Sequence, residues 1–204
     1  MKGAPIAFAG EGPNELGSRA RERMYQEDAQ PGVLQTLARR IQPEGWHVGL
    51  GIVWSRIRKL DSHRRMNAEV RNVLVAALDA REAGCSALVF ARDTDGDEDR
   101  RRDIEQGAQQ AVESFRAMGA AHPRLEAWIL ALTGETHTED RGHIDERLAE
   151  AGVDKKDTAR MVAVVEAADL GAMPEDAHSL RAWLSSVRRE LPLAVSEHAA
   201  RAPE

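Results

Sequence analysis

Short apolar runs closed by glycine, proline or acidic turns alternate along the first two-thirds of the chain with longer stretches whose apolar positions recur every three or four residues. Ile6-Ala7-Phe8-Ala9 is the first run, and Gly10-Glu11-Gly12-Pro13-Asn14-Glu15 stops it, which predicts a strand and a sharp turn. Asn14 stands where it would cap a helix over about 15–40, interrupted near Pro31-Gly32. From Trp46 to Trp54 the even positions are apolar, the mark of a half-buried strand. Val70, Val73, Leu74, Ala77 and Leu78 predict a helix over about 67–83, stopped by Gly84. A near-continuous apolar run over 86–92 suits a strand covered on both faces and ends abruptly at Asp93-Thr94-Asp95-Gly96-Asp97-Glu98-Asp99.

The helical period then returns over about 98–118 through Ile104, Ala108, Ala111, Val112, Phe115 and Met118, with Gly119 as the stop. A short extended piece at 120–124, set by Pro123, leads into a helix that runs to about 132. Residues 133–141 read as a polar loop, followed by helices over about 144–151, 155–168 and 176–190, the last closing before Pro192. The tail beyond it shows little pattern. Strands that alternate with helices predict an α/β fold with a mostly parallel, Rossmann-type central sheet over 1–133. The remaining 134–204 reads as a helical extension packed on that core.

Composition narrows the class. A chain of 204 residues with 42% hydrophobic and 30% charged residues has the balance of a globular domain with one sizeable core. No apolar run approaches the ~20 residues of a membrane helix, and the start lacks a secretory pattern. With the single Cys85 excluding an internal disulfide, the expected setting is cytoplasmic. Cys85 itself reads as packing ahead of the strand rather than as chemistry. The net charge of −6 argues against a generally basic coat but leaves a local groove open. Such a groove has a candidate: Arg56, Arg58, Lys59, Arg64 and Arg65 leave the second strand together. Phosphate binding and a solvated basic loop are both open readings of that segment.

The acids carry the chemistry. Residues two apart on an extended chain point the same way, so a strand ending in Asp93-x-Asp95 delivers two carboxylates to one rim of the sheet. Glu11 and Glu15 flank the turn after the first strand, at the edge where open α/β sheets bind ligands. Carboxylates gathered so closely repel one another unless a hard cation lies between them. The plainer alternative makes Glu15 a partner of the helix dipole and Glu11 a solvated turn residue. An EF-hand fails on spacing, because its sixth and twelfth positions counted from Asp93 are Glu98 and Ile104. A phosphatase with a nucleophilic Asp93 leaves Glu11 and Glu15 without a task, and no Walker A sequence occurs.

An apolar strand ending in Glu11-Gly12-x-x-Glu15 and a second ending in Asp93-x-Asp95-x-Asp97 together resemble the Toprim domain of topoisomerases, primases and the overcoming-lysogenization-defect nucleases. Leu125-Glu126-Ala127-Trp128, Lys155-Lys156 and Ser179-Leu180-Arg181-Ala182-Trp183 look like the small stand-alone Toprim-like family. The resemblance departs from the family at Ala9-Gly10, where a bulky aliphatic residue is more usual and where a looser strand end is expected.

That resemblance implies a nuclease dependent on Mg²⁺ or Mn²⁺ that hydrolyses phosphodiester bonds of DNA or RNA, tRNA included. Glu11, Glu15, Asp93, Asp95, Asp97 and Glu126 are its implied metal ligands. Glu11, Asp93, Asp95, Lys155 and Lys156 are its implied catalytic residues, with a lysine near the scissile phosphate. The implied setting is anti-phage defence beside an ATPase of the ABC or AAA type, with no membrane contact and with self-association. A non-catalytic Toprim-like module that binds an ATPase or nucleic acid is the alternative. The metal would generate the nucleophile from water, so no serine or cysteine is needed.

Overall fold

The computed structural model describes residues 3–20, 30–58, 67–113, 115–119, 123–140 and 142–201. Four parallel strands, β1 (Ala4–Gly10), β2 (Trp46–Val53), β3 (Ala87–Phe90) and β4 (Ala117–Met118), form one sheet in the order β2-β1-β3-β4. The chain is therefore α/β with a parallel Rossmann-like sheet. Eight helices accompany it among the described residues: α1 (Pro13–Leu16), α2 (Val33–Ile41), α3 (Ala68–Glu82), α4 (Glu98–Val112), α5 (Leu125–Leu132), α6 (Ile144–Glu150), α7 (Thr158–Ala167) and α8 (His178–Arg201).

Both faces of the sheet are covered, and the pleat sorts the side chains between them. Ile6, Phe8, Val48 and Val89 belong to the hydrophobic cluster shared with α2 and with α5 to α8. Ala7, Ala9, Ile52, Leu88 and Phe90 belong to the cluster shared with α3 and α4. The helices beyond 134 bury Leu148, Met161, Leu180 and Trp183 in the same apolar cluster as the strands.

Several elements differ from the pattern-based expectation. Gly12, not Asn14, caps α1, and Asn14 lies inside that one-turn helix. A 3₁₀ turn over Gly17–Ala20 follows it, and α2 begins only at Val33. The helix expected to reach 118 ends at Val112, because Ala117 and Met118 pair with Leu88 and Val89 as β4. Apolar residues at 115 and 118 fit a helical stripe and a buried edge strand equally well.

The last helix does not stop before Pro192 but runs through it to Arg201. The proline removes one backbone hydrogen bond. Tertiary contacts outweigh that loss: Val187, Leu191 and Ala194 are buried, Arg116 pairs with both Glu190 and Glu197, and His198 Nδ1 lies 3.2 Å from Ser86 Oγ. Among the described residues no helix is long and apolar enough to cross a membrane.

Candidate metal centre

Strands β1 and β3 are hydrogen-bonded neighbours at the middle of the sheet, with Ala9 opposite Phe90, so the segments that follow them leave side by side. After β1 the chain turns at once. Gly10 packs so tightly that a Cβ there would stand 2.4 Å from Glu15 Cβ, and Glu15 folds back to accept a hydrogen bond from Gly12 N at 2.9 Å. The glycine at the strand end is thus a site of close contact and not of the slack expected there. Glu15 is 6% exposed, while the Glu11 side chain is 37% exposed.

The end of β3 is held from several sides. Trp54 Nε1 donates to Ala91 O and Trp183 Nε1 to Phe90 O, both at 2.8 Å. Gly119 lies against the same carbonyl so closely that a Cβ there would fall 1.6 Å from Phe90 O. Asp93 then accepts from Leu125 N at 3.0 Å, and the backbone amides of Thr94 and Asp95 both donate to Pro123 O. This docking brings the first turn of α5, with Glu126, to the strand end.

Four carboxylates interact here. Burial pushes the Asp93 carboxyl up to about 8, and the charges of Glu11, Glu15 and Glu126 add to the rise. Burial likewise lifts Glu15 to about 7, aided by Glu11 and Glu126 and opposed by the hydrogen bond from Gly12. Such a set of oxygen donors, mutually repelling and half withdrawn from water, fits Mg²⁺ or Mn²⁺, whose charge would favour the ionised forms. As the side chains stand, no three acidic, imidazole or thiol groups among the described residues are close enough to ligate one ion. Loading would require side-chain rotation, and Glu11 is turned toward Arg92. A bound cation would supply charge stabilisation and an activated water, with Glu11, Glu15, Asp93 and Glu126 as its holders.

Other expected ligands lie elsewhere. β3 ends at Phe90 and Asp95 has a left-handed backbone with φ of 52°, so the two-residue alternation of a strand no longer applies at 93–95. Asp95 is directed to solvent with its side chain 72% exposed and pairs with Arg100 Nη1 at 2.5 Å. Asp97 caps α4, accepting from Asp99 N at 2.9 Å and from Arg100 N at 3.1 Å.

Lys155 Nζ pairs with Asp145 at 2.6 Å, although its backbone carbonyl is tied to Asn14 Nδ2 beside α1. Lys156 is exposed, and its amide donates to Asp154. Of the basic segment, Arg56 is exposed, while Arg58 is engaged with Asp79 and Glu82 along α3. Lys59, Arg64 and Arg65 lie outside the described residues.

The tertiary structure adds residues that pattern alone did not single out. Arg92 pairs with Glu11 and, at 3.3 Å, with Glu69, which in turn binds Arg100 Nε at 3.0 Å. A chain of charges, Glu11, Arg92, Glu69, Arg100, Asp95, thereby links the two strand ends. Its one sequence signal is a lone arginine between an apolar strand and its terminal acid. Trp54 and Trp183, noted in the sequence without this role, each bind a carbonyl at the end of β3 through the indole nitrogen.

No family model, no curated protein and no solved structure matches this chain.

Proposed function

We propose that the chain is a nuclease of the Toprim-like kind, dependent on Mg²⁺ or Mn²⁺, that hydrolyses phosphodiester bonds in DNA or RNA. The observation that supports this reading is that Glu11, Glu15, Asp93 and Glu126 lie near enough to act on one another's charge beside the carboxyl ends of two adjacent parallel strands, with Asp93 and Glu15 raised to about 8 and about 7. Ligands gather at that edge in open α/β sheets. Asp93 and the buried Glu15 would anchor the cation. Glu11, the most exposed of the four, would pass a proton to or from the attacking water once released from Arg92. The cytoplasm, an anti-phage role and a neighbouring ATPase belong to the same proposal.

A specific contact favours a second reading. Glu11 is already neutralised by Arg92, and Asp95 by Arg100, so those two acids have partners without any cation. These pairs favour a non-catalytic module that binds an ATPase or nucleic acid.

Purified protein incubated with plasmid, single-stranded DNA and tRNA, with Mn²⁺ or Mg²⁺ and with EDTA, separates the two. The nuclease predicts metal-dependent cutting that Glu11→Ala and Asp93→Ala abolish while the fold is kept. Absence of cutting on every substrate, with and without the ATPase, leaves the binding module. Glu11→Ala cutting as well as wild type would refute the site assignment.

A further inference from the structure

Beside Glu11, on the side away from Asp93's contact with α5, a cavity of about 330 Å³ opens between the end of β2, the first turns of α3 and the end of β3. Its lining holds the cations Arg71 and Arg92, the carboxylate of Glu11 that pairs with Arg92, and the neutral polar residues Ser55 and Asn72. Trp54, only 6% exposed and held by its bond to Ala91 O, forms a fixed wall and offers no open ring face for a base to stack on. Arg71 Nε is buried and has no hydrogen-bond partner among the described residues. An unmade bond on this buried Nε–H costs free energy that a ligand oxygen reaching it would recover.

We infer that this cavity is an anion subsite for a phosphate of the nucleic-acid strand, flanking the bond held at the candidate metal centre. The inference rests on the nuclease reading for the identity of the strand, but its chemistry stands on the cavity. The Arg71 guanidinium with hydroxyl and amide donors matches the oxygens of one phosphate, Arg92 beside it being engaged by Glu11 and Glu69, and guanidinium binds phosphate with a rigid fork of donors. A metal ion is disfavoured in the cavity by Arg71 and by Arg92, which already neutralises Glu11 there. A base is disfavoured by the closed wall. Arg58, for which the sequence left phosphate binding and a solvated loop both open, is committed to Asp79 and Glu82, whereas Arg71 on α3 lines the cavity.

The test is fluorescence anisotropy with a short labelled single-stranded DNA or RNA and the full chain in EDTA, at two salt concentrations. Arg71→Ala is expected to weaken binding by about tenfold and to lower the salt slope by about 0.7, one phosphate contact on a single strand. Ser55→Asp, an exposed position at the cavity mouth, should weaken binding similarly by placing a carboxylate against the phosphate, and it decides the matter if Arg71→Ala melts early. Inorganic phosphate at millimolar concentration is expected to compete.

Wild-type affinity in both variants, or no strand binding by wild type, overturns the subsite, as does a cavity that takes inorganic phosphate but no strand. Because EDTA is present, the outcome is independent of cutting. Weakened binding without any nuclease activity keeps the subsite and removes the nuclease. Cutting with unaltered binding in both variants does the reverse.

Discussion

Arg92 holds Glu11 through one guanidinium nitrogen and approaches Glu69 at 3.3 Å through another, so the acid that ends β1 is neutralised by the residue that precedes the acid ending β3. Any cation taken up by Glu11 must compete with that arginine. Arg92→Gln should therefore tighten Mn²⁺ binding by about two- to fivefold, the worth of one partly exposed ion pair. Isothermal titration of the two proteins measures it, and weaker binding in the variant would show that Arg92 orients Glu11 for the metal instead of opposing it.

The buried acids set a pH dependence of stated sign. In the unfolded chain Asp and Glu lose their protons near pH ~4. In the fold Glu15 and Asp93 hold theirs to about 7 and about 8, chiefly because of burial. The folded state thus binds more protons between those values, and metal-free stability should fall as pH rises from ~5 to ~8. Asp145, Glu190 and Glu197, held low by hydrogen bonds from Lys155, Arg189 and Arg116, respond below that window. Saturating Mn²⁺ favours the ionised forms and should reverse the trend. Thermal melts in EDTA and in Mn²⁺ across the window check both halves. A metal-free melting temperature that climbs with pH would refute the buried cluster.

Asp93 and Asp95 should behave differently despite their shared motif. Asp93→Asn is expected to lose Mn²⁺ affinity by at least ~10-fold while raising metal-free stability near pH ~8, because a repelled carboxylate is removed. Asp95→Asn should leave Mn²⁺ affinity within about twofold, since Asp95 is exposed, pairs with Arg100 and occupies a left-handed backbone that asparagine tolerates. Equal losses from both variants would mean that the loop rearranges on loading.

Gly10 carries the close approach of Glu15 to the strand. Gly10→Ala should destabilise by about 1–3 kcal/mol, the usual cost of overpacking, and weaken Mn²⁺ binding with it. Gly12→Ala is the control, because nothing lies within 4 Å of a Cβ there and its φ of −170° is extended backbone. Urea denaturation of the pair measures the difference, and equal stability of the two would show that Glu15 shifts freely.

Local pattern determined what depends on near neighbours. Periods of two and of three to four residues marked β1, β2, β3 and most of the helices, and alternation of strand with helix implied the parallel sheet. Glu11 and Asp93 drew notice as candidates because each closely follows an apolar run, and Glu15 because it closes the turn after the first. What depends on residues far apart in the chain was not. Asp95 leaves the group because a turn docked on Pro123 sets its backbone left-handed, and the competitors Arg92 and Arg100 meet only across Glu69 on α3. α8 passes Pro192 because burial of Leu191 and Ala194 and the pairing of Arg116 outweigh one lost backbone bond. β4 exists because residues 117 and 118 find the free edge of β3. In each case the deciding energy is a contact between segments that no window along the chain contains, so only the tertiary structure resolves it.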